Sequence, residues 1–169
     1  MTHLIRLNTL LATAGSGAAL VATLICLPVH NARAAGDSAV STLVGSWGGS
    51  GRISYTDGSS EAIRCSAYYT GGGNALNMVI QCKSDKNPIH IRSKLRIQGS
   101  NASGDWEERT FNASGSVSGT VSASSMSLNI SGGGFDGSMS VSFGMSSHTV
   151  NVTTKGIAMS RANMSFSRK

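Results

Sequence analysis

The sequence predicts an all-β protein, an antiparallel up-and-down β-barrel of about eight to ten strands, with a β-sandwich as the alternative architecture. Three observations carry this expectation. Short runs of alternating apolar and polar residues recur along most of the chain, the period expected of half-buried strands. The runs are separated by turns of Gly, Asn, Asp and Ser, and 21 of the 169 residues are Gly. No stretch shows a convincing 3.6-residue period, and Gly costs about 1 kcal/mol relative to Ala inside a helix. The same composition, only 13% charged and with two prolines, argues against a coiled coil, a charged disordered tail or a Pro-rich linker.

The first 34 residues form a separate unit. Arg6 gives a positive start, an apolar uncharged run extends from Leu10 to Val29, and Ala32-Arg33-Ala34 supplies an Ala-x-Ala cleavage site. This is the three-part pattern of a secretory signal peptide, and its alternative is an uncleaved anchor. Residues 35–169 are then one barrel domain, periplasmic or secreted, with no transmembrane segment left after cleavage. Loss of Arg6 and Arg33 leaves 12 basic against 8 acidic residues. That mild excess is not the footprint of a nucleic-acid binder. Cys26 leaves with the signal. Cys65 and Cys82 remain, an even number in an oxidising compartment, which predicts one disulfide.

The candidate strands fall at 43–55, 61–71, 75–83, 88–98, 105–111, 116–122, 125–131, 138–143, 148–154 and 157–167. The second and third can be registered. A two-residue turn at Gly73-Asn74 sets Tyr69 opposite Met78, Ala67 opposite Ile80, and Cys65 opposite Cys82 at a site where side chains approach closely. A slip of one residue would break all three matches. The disulfide closes a loop worth about 3 kcal/mol in the chain-entropy picture. A four-residue turn at 84–87 continues the parity, placing Cys82 opposite Ile89 and Ile80 opposite Ile91, with Leu95 and Ile97 on the same inner face. On the other side, a three-residue turn at Asp57-Gly58-Ser59 sets Ile53 opposite Ile63 and Trp47 opposite Tyr69. Gly49 and Gly51 then lie inward, where they allow sharp coiling or close backbone approach.

Few residues offer chemistry. His90 falls on the outer face of the fourth run, and His148 opens the ninth. Both read as solvated surface histidines. No Gly-x-Ser-x-Gly elbow and no metal-ligand spacing occurs, so no catalytic residue, metal or cofactor is expected. Glu107 and Glu108 are neighbours on a strand and point to opposite faces. If Trp106 points inward, so does Glu108, either as a polar ligand contact inside a cup or as a barrel-end carboxylate reaching solvent or an Arg. The opposite phase turns Glu107, Arg109 and Phe111 inward. His90, Arg92, Lys94 and Arg96 form a basic outer stripe, read either as a solubilising face or as a docking face for an anionic envelope component. Five Asn-x-Ser/Thr triplets, at Asn101, Asn112, Asn129, Asn151 and Asn163, are taken as chance matches in an Asn- and Ser-rich chain.

Gly45-Ser46-Trp47 at the start of the first strand resembles the calycin group, the lipocalins and avidins. The resemblance implies a barrel with one end plugged by the Trp and, as in lipocalins, a late basic residue stacked on it, here Arg161 or Arg168. A second Gly-x-Trp, Gly104-Asp105-Trp106, follows. The overall composition is similar to that of small exported proteins of alphaproteobacteria. The functional expectation is a non-enzymatic exported barrel holding a small apolar or amphipathic ligand against Trp47, Tyr69, Met78, Ile80, Leu95, Trp106 and Glu108. The alternatives are an envelope structural protein or inhibitor acting through its basic face, and an outer-membrane barrel, for which nine aromatics and a non-aromatic C-terminus are poor support.

Overall fold

A computed structural model describes residues 33–85 and 88–169. Most of the proposed signal segment, with its apolar run and Cys26, lies outside the described residues, as do two positions of the 84–87 turn. The described residues form a helix, α1 (Arg33–Leu43), and ten strands: β1 (Gly45–Tyr55), β2 (Ser60–Gly72), β3 (Ala75–Lys83), β4 (Pro88–Gln98), β5 (Asn101–Glu108), β6 (Ala113–Val121), β7 (Ser125–Gly132), β8 (Phe135–Phe143), β9 (Ser147–Lys155) and β10 (Met159–Arg168). Each strand pairs antiparallel with its neighbours in sequence, and β1 pairs with β10 to close the barrel. The sandwich alternative is thereby set aside.

The predicted registers of β2–β3 and β3–β4 are those found: Cys65 faces Cys82, Tyr69 faces Met78, and Ile80 faces Ile91. Cys65 and Cys82 form a disulfide with a Cα–Cα separation of 4.1 Å, the close spacing of a non-hydrogen-bonded pair. Three expectations need correction. Trp47 pairs with Ala67 and Ile53 with Glu61, two residues from the predicted β1–β2 register. The three-residue turn is Thr56-Asp57-Gly58, closed by the Tyr55 N–H donating to Ser59 O at 2.9 Å. Its last position needs a left-handed backbone, which Gly58 supplies at φ 83°. Moving the turn by one residue moves the register by two and leaves the facing of every side chain unchanged.

The second correction concerns the fifth strand, which starts at Asn101, after a two-residue turn at Gly99-Ser100, and ends at Glu108. The third is α1, which lies in a stretch where no helix was expected. Its buried residues Gly36, Ala39, Val40 and Leu43 recur at helical spacing. Gly36 sits so close to Ile97 that an added Cβ would lie 2.7 Å from the Ile97 Cγ2. The helix therefore closes the end where β1 begins and β10 finishes.

Gly49 and Gly51 play the predicted part. A Cβ on either would lie 2.4 or 2.2 Å from a β10 carbonyl oxygen, so the backbones meet more closely than any side chain permits. Apolar rows face inward along every strand, while Ser, Thr, Asn and charged residues alternate outward. An outer-membrane barrel needs the reverse, an apolar band on its outer surface.

Candidate functional site

The two ends of the barrel are built differently. At the helix end the interior is packed solid. Trp47, Tyr69, Leu76, His148 and Phe166 are buried, beneath Val40 and Leu43 of α1. The Trp47 Nε1–H donates to Leu43 O at 2.8 Å, tying the first strand to the helix that covers it. Arg168 lies over the Trp47 ring, 4.2 Å from its centroid, and its guanidinium donates to the carbonyls of Thr42, Val44 and Met145. Of the two arginines proposed for this stacking, Arg168 makes it.

His148 corrects the reading of a surface histidine: it is 2% exposed. Its ring stacks on Phe166, meets Trp47 edge-on with both centroids 4.6 Å away, and shares a 3.1 Å hydrogen bond between Nε2 and the Tyr69 hydroxyl. Its Nδ1 is buried and has no partner among the described residues. Burial, and secondarily the Arg168 charge, pushes its pKa down to about 4. Burial also raises the Tyr69 phenol well above its ordinary range. His148 shares the inward parity of Val150, Val152 and Thr154 along β9, and that parity was the available signal.

The opposite end is not covered by α1, and its interior is unevenly filled: Ile53, Ile63 and Ala162 are buried there. The inward residues Ile89, Ile91, Ile130, Met139 and Val152 are only half-buried, and all lie in the half of the barrel away from α1. Trp106 stands at this end with its ring 5.2 Å from that of Phe135, and its Nε1–H donates to Ser131 O at 3.1 Å. Two shallow, open depressions mark the surface. One at this mouth is lined by Gly132, Phe135, Asp136 and Lys155, and one at the helix end is lined by Ser124, Phe143, Ser147 and His148.

Two carboxylates reach inward near the mouth. Glu108 is on the Trp106 side of the strand, as the first of the two phases predicts, and Phe111 is exposed. Glu108 is buried and, among the described residues, makes no ion pair with an Arg. It accepts the N–H of His90 at 2.8 Å and of Phe111 at 2.6 Å, so it ties the β5–β6 loop to the start of β4. Burial alone would raise its pKa, but these backbone donors and Thr110 outweigh it and hold the carboxyl below its usual range. Glu61, at the start of β2, accepts a hydrogen bond from the Tyr55 hydroxyl. That bond, with burial, pushes the Tyr55 pKa up to about 12.

The residues named from the sequence as a ligand lining thus divide. Trp47, Tyr69, Met78 and Leu95 belong to the packed interior, Ile80 adjoins half-buried Ile91, and Trp106 and Glu108 stand at the mouth. Ile89 and Ile91 lie on the inner face as read from the sequence but were not named as lining, and neither were Ile130, Met139 and Val152. The basic stripe does lie on the outer face of β4, with His90 half-buried. Arg92 and Lys94 stand opposite Glu107 and Asp105 of β5, and the Arg92–Glu107 pair is 3.9 Å apart. Among the described residues no group of three His, Cys, Asp or Glu is placed to hold a metal ion.

Solved structures share this architecture. The chain is similar to Rv2717c from M. tuberculosis, with a TM-score of 0.61 and 14% identity over 78% of this chain and 95% of that one. It is also similar to the S-type phycobiliprotein lyase CPES from Guillardia theta, with a TM-score of 0.60 and 11% identity over 82% of this chain and 95% of that one. No protein-family profile matches the chain, and no curated protein matches it in sequence. At these identities the likeness establishes the fold alone, a small closed β-barrel.

Proposed function

We propose that the protein is an exported, non-enzymatic barrel that holds one small apolar or amphipathic molecule in its open half. The observation that carries this reading is the asymmetry of the interior. One end is sealed by α1, Trp47 and Arg168, while the other leaves a set of inward aliphatic side chains only half-buried. Apolar surface facing inward from a rigid wall gains by being covered, at about 25 cal/mol per Å². A small barrel can hold one such molecule at its mouth.

The non-enzymatic part of the reading rests on how Glu108 and His148 are engaged. Glu108 is taken up by backbone N–H groups, and His148 is enclosed by aromatic rings at the sealed end. Export is supported by the apolar leader with its Ala-x-Ala site and by a disulfide suited to an oxidising compartment. The described inward residues of α1, Gly36, Ala39, Val40 and Leu43, follow Ala34, so cleavage there keeps them. Docking of an anionic envelope component on β4 is the weaker reading, because β5 sets carboxylates opposite Arg92 and Lys94.

Native mass spectrometry of the purified protein, with solvent extraction of what it carries, tests the proposal. A stoichiometric small molecule, with a change of Trp106 fluorescence on rebinding, is the expected result. A bare mass and unchanged fluorescence across a panel of apolar ligands would overturn it.

A further inference from the structure

We infer that the mouth prefers an apolar molecule with a positively charged amine head, and that Glu61 receives that head; this rests on the reading of the open half as a binding cup. Glu61 stands on the inward row of β2, paired with buried Ile53 of β1 and two residues before buried Ile63. Its Oε1 accepts the Tyr55 hydroxyl, which fixes the carboxylate against the wall. Its Oε2 is buried and has no hydrogen-bond partner among the described residues. An acceptor cut off from water and left without a donor is costly, and a carboxylate oxygen more so than a neutral one. The Glu61 side chain as a whole is only half-buried, so a turn of its carboxylate toward the cup would let an arriving donor remove that cost, a charged N–H donor most fully.

The sign of the surroundings agrees. Among the described residues, the ionisable carboxylates on the inward rows of this half are Glu61 and Glu108, and no Lys or Arg stands on those rows. Glu108 is already engaged by the His90 and Phe111 N–H groups, so Glu61 has the spare acceptor capacity. The half-buried aliphatic residues of β4, β7, β8 and β9 would cover the chain of the same molecule.

Calorimetric titration of the purified protein with decylamine, decanol and decanoate separates the two claims, since the three share one chain and differ in the head. Decylamine is expected to bind about tenfold or more tightly than decanol, and decanoate more weakly than either. The Glu61→Gln variant, with folding checked by its melting curve, is expected to lose about tenfold in decylamine affinity and to keep decanol affinity within about twofold. Decanol or decanoate binding as well as decylamine would overturn the role of Glu61 and leave the cup standing. That comparison is made on the unaltered protein and does not depend on the variant folding. A Glu61→Gln variant that folds and binds decylamine undiminished would also overturn it. If none of the three binds, the cup reading falls and this inference falls with it.

Discussion

Acidifying the protein tests the sealed end through His148. The ring is enclosed by Trp47, Tyr69 and Phe166, and its pKa is pushed down to about 4 by burial and then by Arg168. In the unfolded chain the same group titrates near its ordinary value of about 6.5. Between those two values the unfolded chain binds a proton that the folded protein does not, so stability rises with pH across that window. Put the other way, stability is lost as pH falls from about 6.5 toward about 4, and the loss then levels off. A difference of about 2.5 pKa units corresponds to about 3 kcal/mol in full, and to about 2.5 kcal/mol by pH about 4.5. Urea unfolding followed by tryptophan fluorescence at a series of pH values reads this directly. The His148→Phe variant keeps an aromatic ring in the slot and removes the titration. It should be less stable at neutral pH, by about 1–3 kcal/mol for the stranded Tyr69 hydroxyl, and its stability should be nearly flat over the same window. Glu108, whose carboxyl is held low, loses its contribution only at more acid pH, so the two effects separate. Equal slopes for the two proteins between about pH 6.5 and 4.5 would refute the argument.

Three further outcomes follow from the geometry. Reducing the Cys65–Cys82 bond should cost about 3 kcal/mol, read as a lower urea midpoint; peptide mapping that finds both thiols free in the untreated protein would refute the pairing. Glu108→Ala should cost about 3 kcal/mol, because it orphans backbone N–H groups at about 1–3 kcal/mol each, and hydrogen exchange at His90 and Phe111 should speed up. Arg168→Ala should lose about 1–2 kcal/mol of stability, and Arg168→Lys should not restore it, because only the planar fork can rest on Trp47 while donating to three carbonyls; full rescue by Lys would contradict this.

Much of the barrel was legible because strand parity is rigid. The Gly73-Asn74 turn fixed Cys65–Cys82, and a four-residue turn at 84–87 then set Ile80–Ile91 and the inward facing of Leu95 and Ile97. The β1–β2 register was missed by two residues because a three-residue turn is set by where the left-handed position falls, and Gly58 fills its last place, not its middle. Helix α1 was missed because it is short and its three Ala are interspersed with the weak helix formers Gly36, Asp37, Ser38, Val40, Ser41 and Thr42; its stability comes from packing Ala39, Val40 and Leu43 onto the barrel end. His148 was assigned to the surface by residue type, although its parity along β9 pointed inward. A single polar residue on an inward row is satisfied by partners remote in sequence, here Tyr69, 79 residues away, and no local pattern displays them. The division into a packed half and an open half was not legible either. It depends on which end α1 covers.

Methyl NMR distinguishes the packed half of the barrel from the half that takes the ligand. With isoleucine, valine, leucine and methionine methyls labelled, titration with a bound apolar molecule should shift Ile89, Ile91, Ile130, Met139 and Val152 at the mouth. Val40, Leu43 and Leu76 at the sealed end should stay in place. Shifts confined to the sealed end or to outward-facing methyls, or no shift at saturating ligand, would mean that the mouth holds no ligand.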